Sequence, residues 1–291
     1  MFTGAMTALV TPFRAGEVDT RALAALVEAQ IAAGIHGLVP CGSTGEAATL
    51  THEEHVAVVR EVVRAARGRV PVIAGAGSNS TAEAIRLTRG AEEAGANGAL
   101  LISPYYNKPT QEGIYRHYAA VAEATRLPLI VYNIPGRTAS NITPETMGRL
   151  SRVRNIVGVK EASGSLAQVI DTIAAAGPDF AVYAGDDILT LPMMAVGGKG
   201  VISVTANVAP REFIELADAL LAGDLERGRG VMHRVLPLVN TLMGLEVNPI
   251  PVKTALALMG KCAEEFRLPL TCMSGPSRAA LEKVLREYDL V

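Results

Sequence analysis

The stretch NIVGVKEASG, residues 155–164, opens as an apolar run rich in valine and isoleucine and then places a cation, Lys160, where the run ends. A short β-branched run of this kind, bounded by polar residues, reads as a buried strand. It is one of eight along the chain: AMTALV (5–10), GLVP (37–40), VPVIAG (70–75), GALLIS (98–103), LPLIVY (127–132), NIVGVK (155–160), FAVYAG (180–185) and GVISVT (200–205). Between them lie segments with apolar residues at i, i+3, i+4 and i+7, among them TRALAALVEAQIAAG (20–34), HEEHVAVVREVVRAARG (52–68) and TAEAIRLTRGAEEAG (81–95). That spacing predicts amphipathic helices. Thr51 with Glu54 and Ser80 with Glu83 have capping-box spacing, and Gly34, Gly68 and Gly95 stand where C-terminal caps belong.

Strand then helix, repeated eight times without a Rossmann-like glycine loop, predicts an α/β protein built as a (β/α)8 TIM barrel. The barrel is expected over residues 1–223. The remainder, 224–291, reads as a C-terminal helical extension packed on it, through DLERGRGVMHRVLPLVNTLM (224–243), NPIPVKTALALMG (248–260) and SGPSRAALEKVLREYD (274–289).

Composition narrows the partners. The chain of 291 residues is 49% hydrophobic and 19% charged, with a formal net charge of -2, long enough to bury about three quarters of its unfolded surface. No block of lysine and arginine marks a face for nucleic acid or an anionic membrane. No apolar run approaches the ~18 residues of a membrane span, and MFTGAMTALVTPF at the start lacks the basic region of a signal peptide, so a cytoplasmic protein is expected. Cys41, Cys262 and Cys272 have neither CxxC nor Cys/His ligand spacing. They predict no disulfide framework and no zinc site, and read as small core residues.

Active sites of this barrel type lie at the C-terminal ends of the strands, so those ends should be the polar ones. They read TPF, CGSTGE, AGSN, SPYYN, YNIPGRT, KEASG, GDD and TAN. Of the six lysines, at 108, 160, 199, 253, 261 and 283, only Lys160 ends a predicted barrel strand. A lysine there is either a cation paired with a carboxylate or with water, or a nucleophile whose ammonium form burial disfavours. At an unperturbed pKa near ~10.4 roughly one lysine in 2,500 is neutral at pH 7, so an amine that attacks a carbonyl needs the shift that a barrel interior supplies.

Four of the strand ends, CGSTGE (41–46), SPYYN (103–107), YNIPGRT (132–138) and VKEASG (159–164), occur in a telling order, with GVISVTANVAP (200–210) and NPIPVK (248–253) beyond them. On these motifs the chain resembles, from Met1 to the C-terminal helices, the dihydrodipicolinate synthase and N-acetylneuraminate lyase family, class I aldolase-type barrels that bind pyruvate as a Schiff base. The resemblance implies that Lys160 is the imine-forming amine and that Tyr132 is the proton-transferring phenol, linked through the Thr44 hydroxyl to Tyr106. In these enzymes that last tyrosine reaches across a dimer interface into the neighbouring site. A phenol with a pKa near ~10 is a poor acid alone at pH 7, and a hydrogen-bonded relay orients and polarises it.

Ser43 and Thr44, with the N–H groups around Gly42 and Gly45, are expected where the second strand turns into a helix, a setting that suits a carboxylate. The resemblance assigns that carboxylate to pyruvate; plain N-capping is the competing role. Gly185 and Ile202 match positions whose main-chain groups line the family's site. Arg137 matches the arginine that binds the carboxylate of L-aspartate 4-semialdehyde in the synthases, which sialic acid lyases usually lack. A guanidinium makes a bidentate clamp for a carboxylate. No metal or organic cofactor is implied, because the lysine itself becomes the electron sink once the imine has formed.

A second site is suggested by AATLTHEEH (47–55), GAGSNSTAE (75–83) and Tyr105. In lysine-inhibited synthases, counterparts of Ala48, His52, His55, Gly77, Asn79, Glu83 and Tyr105 form a pocket for L-lysine at the tight-dimer interface, with Glu83 suited to the effector's ammonium group. Read alone, His52 and His55 are exposed helix residues, and their metal-like spacing finds no third ligand. The resemblance thus implies pyruvate, L-aspartate 4-semialdehyde and L-lysine as small-molecule partners, and a homo-oligomer, commonly a dimer of dimers, in lysine and diaminopimelate biosynthesis. Three readings stay open: the synthase, another pyruvate lyase or aldolase acting on sialic acid or a 2-keto-3-deoxy sugar acid, and a non-catalytic binding barrel with a structural lysine. Arg137 argues for the first.

Overall fold

Every one of the eight apolar runs forms a strand in the computed structural model, which describes residues 2–291. The strands are β1 (Gly4–Ala8), β2 (Gly37–Val39), β3 (Ile73–Gly75), β4 (Gly98–Ile102), β5 (Leu129–Asn133), β6 (Ile156–Glu161), β7 (Ala181–Ala184) and β8 (Gly200–Ser203). Each pairs in parallel with its neighbour in the chain, β8 pairs back onto β1 with Gly4 opposite Gly200, and a bridge between Leu38 and Val72 joins β2 to β3. A parallel sheet that returns to its own first strand is a (β/α)8 barrel.

Among the described residues twelve α-helices surround and extend it: α1 (Thr20–Ala33), α2 (His52–Ala66), α3 (Thr81–Glu93), α4 (Gln111–Glu123), α5 (Pro135–Thr138), α6 (Pro144–Leu150), α7 (Leu166–Ala176), α8 (Thr190–Ala195), α9 (Pro210–Leu221), α10 (Leu225–Gly244), α11 (Ile250–Leu258) and α12 (Gly275–Glu287). The last three form the helical extension, α10 lying along α9, with α11 and α12 packed against it. No helix among the described residues is long and apolar enough to cross a membrane.

Local chemistry explains the element ends. Thr51 and Glu54 close a complete capping box at the start of α2. At Ser80 only half of the box forms: its hydroxyl accepts from the Glu83 N–H, while the Glu83 carboxylate is drawn away to Ser78 and His52. Gly34 caps α1 in the left-handed region at φ 94°. Helices α2 and α3 end at Ala66 and Glu93 with Arg67 and Ala94 as caps, and Gly68 and Gly95 follow in the left-handed region at φ 70° and 87°.

Side-chain alternation separates two cores. Met6, Ala8, Val39, Ile73, Leu100, Ile130, Tyr132, Ala181, Tyr183 and Ile202 fill the barrel, while residues such as Leu129, Val131 and Val159 face the helices. The phase of β6 is set by an irregularity: Leu129 pairs with Ile156 but Ile130 pairs with Gly158, so Val157 is an extra residue. A bulge shifts every later side chain to the opposite face. Gly158 and Lys160 therefore fall on the barrel side although Ile156 lies with the outer core. Gly158 is required there, since a Cβ would stand 2.5 Å from the Ala181 carbonyl oxygen.

The cysteines correct an expectation. Cys41 is buried, but Cys262 is only half-buried and Cys272 is exposed, because both lie in the irregular surface segment between α11 and α12. All three are free thiols.

Candidate active site

Lys160 is 5% exposed and its Nζ lies 4.3 Å from the centroid of the Tyr132 ring, its neighbour across the β5–β6 ladder. Among the described residues no carboxylate pairs with it and no hydrogen bond reaches it. Burial pulls its pKa down to about 8, opposed by the charge of Asp187 and reinforced by Arg137. The ammonium form is thus disfavoured by desolvation, and the acidic side chains that favour it act through space without a direct ion pair. Gly185, at the end of β7, makes room for the side chain: a Cβ there would stand 3.1 Å from the lysine Cε and 2.8 Å from the Ala162 Cβ. Ile202 is fully buried and helps to wall the barrel interior.

Tyr132 is buried, and burial pushes its phenol pKa up, with Arg137 opposing and Asp186 adding. The phenol is therefore a proton donor at neutral pH, not a phenolate. Thr44 is also buried, and its Oγ accepts from the Asn248 side-chain nitrogen at 3.0 Å. Tyr106 stands apart from them. It is 88% exposed at a left-handed φ of 71° on a projecting turn, where Asn107 donates to the Asn79 carbonyl. A single chain therefore brings Lys160, Tyr132 and Thr44 to one end of the barrel and sends Tyr106 outward.

The loop after β2 differs from the expectation. Residues 40–46 form turns, Ala47–Thr49 form one 3-10 turn, and α2 starts only at His52 with Thr51 as its cap. Neither Ser43 nor Thr44 caps α2, whose cap is Thr51. The physical reason lies at Glu46, in the left-handed region with its side chain drawn inward to Lys253. What the loop offers instead is a run of three N–H groups, of Gly42, Ser43 and Thr44, that meet no acceptor among the described residues. Consecutive N–H groups in tight turns form a nest for an anion. Thr11 fixes the loop by donating to the Gly45 carbonyl at 2.7 Å. Arg137, exposed on α5, donates from Nη2 to the Asn248 carbonyl at 2.9 Å.

The second cluster is assembled in part. His52 Nε2 lies 2.7 Å from Glu83 Oε1, and the Ser78 hydroxyl donates to the other carboxylate oxygen. These contacts, Ser78 first, hold the Glu83 carboxyl below its ordinary pKa. Ala48 and Tyr105 are exposed, and Gly77 and Asn79 are half-buried nearby in the chain. His55 corrects the reading of an exposed helix residue: it is buried on the inner stripe of α2 with Val58, Val59 and Val62, and burial lowers its pKa. No group of three metal-ligating side chains occurs among the described residues.

The sequence profile described as the dihydrodipicolinate synthetase family matches residues 1–288. The chain belongs to this family. A relative from Syntrophus aciditrophicus, named 4-hydroxy-tetrahydrodipicolinate synthase, is 55% identical over 291 residues and covers all of both chains. Among solved structures, a chloride-inhibited dihydrodipicolinate synthase from Acinetobacter baumannii complexed with pyruvate is 44% identical with a TM-score of 0.98, covering 100% of each chain. A synthase from Cyanidioschyzon merolae with lysine bound is 41% identical with a TM-score of 0.96, covering 100% of this chain and 99% of that one. The chain is accordingly a lyase-type enzyme, and the synthase reading agrees with the names its relatives carry. The reading as a non-catalytic barrel falls.

Against the family's motifs, several groups around the site escaped the sequence reading. Glu46, inside CGSTGE, forms a buried ion pair with Lys253 of NPIPVK, Nζ to Oε1 at 2.5 Å. Asn248, from the same stretch as Lys253, contacts both Thr44 and Arg137. Asp187 is buried beyond β7, accepting from the Thr205 N–H at 2.7 Å. Glu161, next to Lys160, is buried and receives hydrogen bonds from the Ser163 N–H at 2.7 Å and from Asn133 at 3.0 Å. The signal available for these was a polar residue inside a quoted motif; the partner in each pair was not legible.

Proposed function

We propose that the chain condenses pyruvate, held as an imine on Lys160, with L-aspartate 4-semialdehyde. The neutral amine adds to the ketone carbon, and loss of water from the carbinolamine gives the imine. The N–H groups of Gly42, Ser43 and Thr44 hold the pyruvate carboxylate. Tyr132 delivers the proton that the departing water needs, and Thr44 passes protons between it and Tyr106 of a second copy. Loss of a methyl proton turns the imine into an enamine, whose carbon attacks the aldehyde while Arg137 clamps the aldehyde substrate's carboxylate. The substrate's own amine then closes the ring and frees Lys160, releasing a hydroxylated tetrahydrodipicolinate. Gly185 and Ile202 shape the pocket.

A single observation carries this reading: a lysine buried against the ring of a buried tyrosine, with no carboxylate paired to it among the described residues. Residues 1–223 serve as the catalytic barrel and 224–291 as the helical region that braces it, in a cytoplasmic homo-oligomer in which Tyr106 completes the neighbouring site. The His52–Glu83 pair favours L-lysine as an effector, with the Glu83 carboxylate taking its ammonium group. Borohydride reduction in the presence of pyruvate should leave a permanent adduct on Lys160, and the protein should turn over the aldehyde but not sialic acid. No adduct, or preference for sialic acid, defeats the proposal.

A further inference from the structure

Asn248 touches both ends of the proposed chemistry. Its side-chain nitrogen donates to the Thr44 hydroxyl at 3.0 Å, and its main-chain carbonyl accepts from Arg137 at 2.9 Å. It sits in the turn between α10 and α11, where the Ile250 N–H donates to the Val247 carbonyl. Five residues on, the fully buried Lys253–Glu46 ion pair ties the same segment to the loop that carries Thr44. Asn248 is therefore held from two sides, by Arg137 and by the ion pair.

The direction of the Thr44 contact has a chemical consequence. A threonine hydroxyl has one proton and two lone pairs. With the Asn248 amide donating, one lone pair is occupied and the proton stays available for another acceptor. The reversed amide would take that proton and would bury an NH2 with two unpaired hydrogens. In the observed orientation the unpaired atom is Oδ1, and a carbonyl short of a partner is tolerated better than an orphaned N–H.

We propose that Asn248 is a positioning residue for the proton relay: its amide occupies one Thr44 lone pair and leaves the hydroxyl proton and the second lone pair for Tyr132 and Tyr106, while its carbonyl sets the Arg137 guanidinium over the site. The proposal rests on the imine reading above. It makes the amide, and not the bulk of the side chain, the feature that matters.

The test compares Asn248→Ala and Asn248→Asp with the parent enzyme, alone and combined with Thr44→Val. Loss of one hydrogen bond to a reacting group is worth roughly tenfold in rate. Asn248→Ala should therefore lower kcat about tenfold and leave the KM for the aldehyde within about twofold, because the carbonyl that holds Arg137 remains. Asn248→Asp is nearly isosteric but accepts the Thr44 proton, and its kcat should fall further, by roughly a hundredfold. In the Thr44→Val background neither change should cost more. The aspartate variant keeps the shape of the turn and decides the matter if the alanine variant folds poorly. Parent-like kcat in Asn248→Asp overturns the inference, as do losses that persist in full without the Thr44 hydroxyl. A parent enzyme that traps no pyruvate with borohydride overturns the imine reading and this inference with it; a trapped adduct with unaffected Asn248 variants overturns this inference alone.

Discussion

Two lysines lose their water in this molecule, and only one of them receives a carboxylate in exchange. Lys253, on α11, is completely buried, with Glu46 at 2.5 Å and the rings of Phe13 and Phe266 at 4.1 and 5.1 Å. Lys160, on β6, is almost as deeply buried and has the Tyr132 ring at 4.3 Å but no paired carboxylate. Burial lowers both pKa values. At Lys253 the Glu46 charge and hydrogen bond oppose the shift directly; at Lys160 the opposition comes from Asp187 and Asp186, through space alone. The same side chain is thus held by a counter-charge where it joins two segments and shifted toward the neutral amine where it ends a barrel strand with no paired carboxylate. Depth of burial does not separate the structural lysine from the chemical one; the partner does.

Exchanging either lysine probes that difference, and the largest effect is expected at Lys160. Lys160→Ala should cut turnover by at least about ten-thousandfold, since no other amine at the site can form the imine. It should also abolish the borohydride adduct while leaving the folded structure in place. Turnover near the parent rate, measured with both substrates, would remove the distinction altogether. Lys253→Met should do the reverse. Its loss strands the Glu46 carboxylate without a counter-charge, which costs about 3–5 kcal/mol of stability. Urea unfolding should show that loss, and adding Glu46→Gln should recover most of it. A stable Lys253→Met protein would mean that the pair is not what joins the loop after β2 to α11.

These two lysines also show how far the sequence was legible. Lys160 announces itself because it ends an apolar run in a periodic series, and a barrel rule points to strand ends. Even so, its inward direction depends on the bulge at Val157, which no alternation pattern predicts. Lys253 lies within a helical stretch, and its partner is 207 positions away. The Asn248–Thr44 bond spans 204 positions and was equally hidden. Pairings of this kind are consequences of the closed barrel, not of any local pattern. The Ser43–Thr44 loop was misjudged because a turn rich in glycine and hydroxyls looks like a helix start, whereas Thr51 holds the real cap. His55, by contrast, was readable: it is three, four and seven residues before Val58, Val59 and Val62, so it shares their buried stripe.

Arg137 sharpens the comparison from the side of the second substrate. It is an exposed cation anchored by one hydrogen bond to a carbonyl, and so remains able to bind a carboxylate. Hydrogen bonds to charged groups contribute about 1.5–3 kcal/mol. Arg137→Ala should therefore raise the KM for L-aspartate 4-semialdehyde by roughly ten- to a hundredfold, with pyruvate trapping on Lys160 unchanged in extent. Equal damage to both substrates would indicate that the guanidinium shapes the site as a whole.

The smallest effect expected is also the most direct reading of the unpaired lysine. Imine formation requires the neutral amine, so its rate should follow the deprotonated fraction of Lys160. With its pKa lowered to about 8, that fraction climbs from roughly a tenth at pH 7 to roughly nine tenths at pH 9, an increase of about tenfold. An ordinary lysine, with a pKa near ~10.4, would gain nearly a hundredfold across the same interval and would not level off. The initial rate of borohydride trapping with pyruvate, followed by mass across that range, distinguishes the two curves. A profile that bends near pH 8 supports an amine desolvated without a partner. One that still rises tenfold per unit at pH 9 would make Lys160 an ordinary cation, and the contrast with Lys253 would then rest on position alone.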